Sequence, residues 1–272
     1  MNAIHALSAA VLAVATFAHA EGVAFVTDVK GSVDLAGHRP AVLSELPSGA
    51  RLKVGGDGVL AVMYAASGKE YVLKGPGEYE VGTTEIGATT GPKPAARATE
   101  WRASNRVLSQ VAQTSSASVR MRSLAKPKAV EPAPFPSEGN IASLQPTFRW
   151  AKAGAATGEF MLLVDGYEKP VHTAKAGPAS YRMPTRLKPD TEYYWRVTTG
   201  PDEVASGRFR TLPADAIQAV EARRPKAKAE FSDRLMFALL LQEMGATQEA
   251  KDLWASLSQE RSDLPELSAL AK

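Results

Sequence analysis

The sequence predicts a mainly β protein: two small β domains and a C-terminal α-helical hairpin, preceded by an N-terminal export signal. Three observations carry that prediction. From Leu187 to Val197 the apolar side chains Tyr193, Trp195 and Val197 alternate with Tyr194 and Arg196, the period of a strand with one buried face. Between Val23 and Thr90 short apolar runs are broken repeatedly by Gly-rich turns. After Phe231 the apolar spacing lengthens to that of a helix. The 21 Gly and 18 Pro among 272 residues, with 7% aromatics, favour turn-rich β structure and linkers over a large helical enzyme.

The N-terminal run Ala6 to Ala18 is apolar and closes on Ala18, His19 and Ala20, a small-x-small cleavage pattern ahead of Glu21 and Gly22. The leading segment has no Lys or Arg, so its positive charge comes from the terminal amine and His5. Residues 1–20 are expected to be a signal peptide, and the mature chain a soluble periplasmic protein without a transmembrane segment, since no later stretch is long and apolar enough to span a bilayer. The chain contains no Cys. That removes disulfides, thiolate nucleophiles, thiolate metal sites and an acylated lipoprotein cysteine.

Residues 21–90 form the first predicted domain. Its expected strands are Val23–Val29, Gly31–Leu35, Arg51–Val54, Val59–Tyr64, Glu70–Leu73 and Glu78–Val81, with breaks at Asp28 to Gly31, Gly55 to Gly58, Ser67 to Lys69 and Gly75 to Gly77. A Val-x-x-Val-x-Gly-x-Val opening runs from Val26 to Val33. Leu-x-x-Gly-x-x-Leu follows from Leu46 to Leu52, then Gly-Asp-Gly at Gly56 to Gly58 and Gly-Pro-Gly at Gly75 to Gly77. In this order the motifs resemble a FecR-like domain over about seventy residues, which implies a compact β sandwich or barrel. The iron-transport regulators that name that family carry a cytoplasmic helical segment and a membrane span, which this sequence does not match. The resemblance therefore implies an exported β domain rather than direct action on a sigma factor.

Residues 91–140 shift to Ala, Pro, Ser, Lys and Arg and read as a basic linker, with a short helix over Thr99 to Gln113 and an extended stretch from Pro127 to Pro136. Arg97, Arg102, Arg106, Arg120, Arg122, Lys126 and Lys128 face few acids there, chiefly Glu100 and Glu131. Residues 141–213 form the second β domain: Pro146 to Trp150 alternates, as do Phe160, Leu162 and Val164, Asp165 with Gly166 signals a hairpin turn, and Gly207 to Thr211 fits a final strand. Leu187, Pro189, Thr191, Tyr193 and Val197, at even offsets, resemble the E–F corner of a fibronectin type III or immunoglobulin-like sandwich. The resemblance makes Leu187 and Tyr193 a structural corner, with Tyr193 hydrogen-bonding back across it.

Residues 214–229 read as a second linker with a basic break from Arg223 to Lys226, and residues 230–272 as a helix pair with a stop at Gly245. Ala238, Leu241, Gly245, Ala250, Trp254 and Leu257 resemble the core register of one tetratricopeptide unit, although Pro265 falls late for that family. A lone helix pair cannot bury its apolar face by itself. Phe237, Leu241, Trp254 and Leu257 are therefore the candidate surface for an envelope protein partner.

No catalytic, cofactor-binding or metal residues emerge. His38 and His172 lie in different domains without further ligands at metal spacing. Ser123 to Lys126 matches Ser-x-x-Lys, but in a Pro/Lys/Ala linker without its companion motifs. Ser67 to Lys69 lacks the upstream Gly of a phosphate loop, and Gly55 to Gly58 lacks the following helix. Of the aromatics near the corner only Tyr194 points outward.

The function expected is non-enzymatic and cofactor-free: binding or positioning other envelope components, within a sensing or secretion assembly. The alternative is a module that binds peptidoglycan or another anionic envelope polymer through the seven basic residues from Arg97 to Lys128. The sequence pI is about 9.0 on a net charge of +3, and an exported location turns that balance away from nucleic acid and toward anionic wall polymer. Export predicts cleavage after Ala20. N-terminal sequencing of the chain recovered from the periplasm should begin at Glu21; a chain that still begins at Met1 and fractionates with membranes overturns it.

Overall fold

Val59–Tyr64 is apolar at every position and buried along nearly its whole length, while Arg51–Val54 alternates exposed and buried. The first pattern belongs to a strand covered on both faces, the second to a strand with one wet face. In the computed structural model, which describes residues 22–99, 101, 134–151 and 158–271, these two strands occupy different sheets of one β unit. Its strands are β1 (Ala24–Lys30), β2 (Val33–Leu35), β3 (Glu45–Leu46), β4 (Arg51–Val54), β5 (Val59–Tyr64), β6 (Lys69–Lys74), β7 (Gly77–Val81), β8 (Ile86–Thr90) and β9 (Ala95–Ala98). They form a five-stranded sheet, β3-β1-β5-β6-β9, and a four-stranded sheet, β2-β4-β7-β8. Every pairing in both is antiparallel.

The turn glycines permit one close approach in particular. A Cβ on Gly75 would overlap the Gly55 carbonyl, so the Gly55 to Gly58 and Gly75 to Gly77 turns pack backbone on backbone.

Three strands lie outside the sequence expectation. β3 and β8 are short or largely exposed. β9 lies within residues 91–140, whose composition is that of a linker, yet it pairs with β6 from Lys69↔Ala98 to Val72↔Ala95 and forms the sheet edge. The expected helix over Thr99 to Gln113 falls, beyond Thr99 and Trp101, outside the described residues.

The second unit contains β10 (Asn140–Ile141), β11 (Thr147–Arg149), β12 (Gly158–Val164), β13 (His172–Ala176), β14 (Ser180–Arg182), β15 (Glu192–Thr199) and β16 (Asp202–Thr211). One sheet runs β10-β16-β15-β12-β13, with β10 parallel to β16, and β11 pairs with β14 in a second. Phe148 of the small sheet meets Phe160, Trp195 and Phe209 of the large one at ring-centroid distances of 4.7, 5.2 and 5.8 Å. These aromatic contacts close the core between the two layers. As the alternation requires, Tyr193, Trp195 and Val197 are buried and Tyr194 and Arg196 only partly so. The Tyr193 hydroxyl accepts a 3.0 Å hydrogen bond from the Lys188 backbone N–H, and Leu187 is buried beside it. The Tyr193 side chain thus bonds back to the segment that precedes its own strand.

Four helices follow: α1 (Ala214–Ala222), α2 (Phe231–Glu243), α3 (Thr247–Glu260) and α4 (Pro265–Leu270). α1 occupies most of the stretch read as a linker over residues 214–229, burying Ile217 and Val220. Gly245 ends the α2 segment with φ +80°, a left-handed conformation that favours glycine at a helix stop. Pro265 starts α4, consistent with the preference for proline in a first helical turn. The expected hairpin is thus the centre of a larger helical set. Among the described residues no helix is long and apolar enough to cross a membrane.

Tyr193→Phe removes the acceptor of this part-buried hydrogen bond and should destabilise the second unit by about 1–3 kcal/mol. Tyr194 reaches Glu203 only at 3.5 Å on the exposed side, so Tyr194→Phe should stay within about 0.5 kcal/mol. Chemical denaturation of the two variants of the whole chain distinguishes them; equal midpoint shifts would remove the corner assignment.

Candidate functional site

Phe25, Met63, Glu70 and Arg97 are successive cross-strand neighbours on β1, β5, β6 and β9. The row therefore lies on one face of the sheet and passes from apolar to charged toward the β9 edge. Glu70 is only 2% exposed, so its carboxylate requires partners. Thr27 Oγ1 donates to Oε1 at 2.8 Å and Arg97 Nε to Oε2 at 3.0 Å. The guanidinium then continues into α2, donating to Asp233 Oδ2 at 2.9 Å and Ser232 Oγ at 3.1 Å. Trp101 Nε1 donates to the other Asp233 oxygen at 3.1 Å. Burial works against the charge on Arg97, but its hydrogen bonds to Asp233 and Glu70 outweigh that and hold its pKa above the ordinary arginine value.

The other helices tie down the same unit. Arg261, just past α3, pairs with Asp263 through Nε at 2.8 Å, with Asp28, and with the Val29 carbonyl at 2.7 Å. Asp263 is held down at about 2, chiefly by its hydrogen bond from Arg261. Glu266 of α4 accepts from the Val42 N–H at 2.8 Å.

The opposite end of α3 grips the second unit. Gln248 accepts from the Ser137 N–H at 2.9 Å, and Glu249 accepts from the Ala142 and Ser143 N–H groups at 2.6 and 3.1 Å. Arg149 of β11 pairs with Asp252. Burial, the largest influence on Glu249, pushes its carboxyl above the usual glutamate range despite the two N–H donors. The helical set is thus bonded to both β units.

Beside the Arg97 cluster a cleft of about 430 Å³ opens between Thr99 and Trp101 on one side and the α1–α2 connection on the other. Arg223, Arg224, Lys226 and Lys228 line it from that connection. Arg224 stacks over the Phe237 ring at 5.4 Å, and Arg223 donates to the Ala219 carbonyl at 3.3 Å.

Of the residues singled out by sequence, Phe237, Leu241, Trp254 and Leu257 are all buried, none more than 5% exposed. They form interior packing rather than the exposed partner surface expected of them, because helices and β units cover them together. Arg97 sits in the seam, engaged by Glu70 and Asp233, rather than on a free basic face. Arg102, Arg106, Arg120, Arg122, Lys126 and Lys128 lie outside the described residues, as does Ser123 of the Ser-x-x-Lys match. His172 bonds Tyr181 at 2.6 Å, and His38 closes a tight backbone bridge to Leu35. No group of three His, Asp or Glu positioned to hold a metal occurs among the described residues. The cleft cations Arg224, Lys226 and Lys228 are not among the site residues expected from sequence, although the basic break at Arg223 to Lys226 is their signal. Comparison with known protein families and with curated proteins gives no match.

Glu249 yields a pH prediction. Its pKa is higher folded than unfolded, so its share of stability is complete below the ordinary value of 4.5 and is lost as pH rises through the folded value. Between those two points the parent's melting temperature should fall relative to that of Glu249→Gln, which cannot ionise there. Parallel profiles for the two proteins would show that Glu249 is not the titrating group.

Proposed function

We propose that the chain is a non-enzymatic, exported envelope protein that positions other envelope components. In this reading the first unit is a FecR-like β domain and the second a fibronectin type III-like sandwich. The observation that carries it is the double attachment of α3, through Gln248 and Glu249 to the second unit and through Arg261 to the first. Two β units tied to one helix hold whatever each binds at a set separation, which is what a positioning element in a sensing or secretion assembly needs. With Phe237, Leu241, Trp254 and Leu257 buried, this reading assigns partner contact to the β units instead of the helix pair.

A second reading, binding of an anionic envelope polymer, is favoured by one observation: the basic cleft at the α1–α2 connection. The two are compatible, a scaffold with an anchoring site.

Photo-crosslinkers at the exposed positions Lys53 and Lys169, one on each unit, test the positioning role in periplasm. Both should capture envelope proteins from the full mature chain. Truncation after Arg224 should lower the melting temperature by about 2–4 °C for each kcal/mol that the helices contribute and abolish joint capture. A truncated chain that melts unchanged and captures the same components removes the reading.

A further inference from the structure

Arg223, Arg224, Lys226 and Lys228 place four cations within six residues, all exposed. Elsewhere the described chain neutralises most of its arginines: Arg39, Arg51, Arg97, Arg149, Arg186, Arg208, Arg210, Arg234 and Arg261 each have a carboxylate within 4.0 Å. None of the four cleft cations takes part in the ion pairs found among the described residues. Of the described acids nearby, three are committed elsewhere, while the exposed Glu230 enters none of these ion pairs. Glu221 is bound by Arg186, and Asp233, in the cleft wall, by Arg97 and Trp101. Glu249, which acts on Arg224 through space, spends its two oxygens on backbone N–H groups of the second unit. Like charges this dense repel one another. Among the described residues most other arginines are paired, whereas this group enters none of those ion pairs, and a concave wall gathers it.

The side chains are also partly arranged in advance. The stacking of Arg224 on Phe237 and the hydrogen bond from Arg223 to Ala219 restrict two guanidinium groups. Guanidinium forks match tetrahedral oxyanions, and flexible lysines add point charge around them. The volume of about 430 Å³ suits one small group rather than a length of folded chain.

We infer that this cleft binds a phosphorylated group, either the headgroup of an anionic lipid or a soluble oligophosphate. The choice of an envelope phosphate over nucleic acid rests on the exported reading above. The two fail separately: an uncleaved chain removes export, whereas unchanged binding after loss of the cleft cations removes the site.

The test uses the full mature chain and three probes: inorganic tripolyphosphate by calorimetry, phosphatidylcholine vesicles doped with phosphatidylglycerol by co-sedimentation, and a DNA duplex. The variant Arg223→Ser/Lys226→Ser/Lys228→Ser should weaken binding about tenfold or more and flatten its salt dependence. Lys53→Ser/Lys74→Ser/Lys175→Ser, which removes the same charge elsewhere, should bind like the parent. Tripolyphosphate binding without vesicle binding assigns a soluble source, and vesicle binding, with or without tripolyphosphate, assigns a headgroup; either supports the site. The double variant Lys226→Ser/Lys228→Ser, which disturbs neither the Phe237 stack nor the Ala219 bond, keeps the comparison valid if the triple variant misfolds. Equal binding by parent and cleft variants, no binding to either tripolyphosphate or vesicles, or binding confined to DNA overturns the inference.

Discussion

The structure depends on α3 being tied at both ends to different parts of the chain. Its first turn supplies Gln248 and Glu249, whose side chains satisfy backbone N–H groups of Ser137, Ala142 and Ser143. Those donors would otherwise be left without partners where the helix covers them. Beyond its last turn Arg261 reaches Asp28 and the Val29 carbonyl. A helix of 14 residues is about 21 Å long, so α3 acts as a strut of defined length between the β units. Neither grip relies on exposed ion pairs alone, which contribute little; each includes hydrogen bonds to backbone.

α2 explains why the strut stays in place. Phe231, Leu235, Met236, Phe237, Ala238, Leu239 and Leu241 are all buried, so apolar side chains surround the helix rather than forming one stripe. Such a helix belongs inside a structure. It is covered by α1, α3 and the β1 region, and that cover buries the second face of the sheet containing β1 and β5. At one margin, where burial would strand the Glu70 carboxylate, Arg97 supplies the counter-charge and Ser232 and Asp233 complete its hydrogen bonds.

The parts legible in sequence are those whose signals are local. Tyr193, Trp195 and Val197 show their strand and buried face through alternation, and Gly245 marks the helix stop through its backbone preference. β9 is illegible, because Ala95–Ala98 has neither alternation nor bulk, and its strand is imposed by β6 and by the Glu70–Arg97 pair. α1 carries only a faint signal: Ile217 and Val220 stand three apart, on one helical face. Arg97 resembles part of a free basic face in sequence because its partners lie 27 and 136 residues away. The surplus apolar surface of Phe237 and Trp254 does need cover, as the helix-pair pattern implies. Whether cover comes from a partner or from the same chain is a long-range fact that no local pattern carries.

The contacts of Arg261 with Asp28 and of Glu266 with Val42 join residues 233 and 224 positions apart. During synthesis the first β unit emerges long before the helices that complete it. Until Glu266 appears the Val42 N–H lacks its carboxylate, and until α2 appears the outer face of β1 and β5 remains uncovered. The chain therefore has a vulnerable interval set by its own length, in which a nearly finished sheet waits for its lid with an apolar face open to association with another copy.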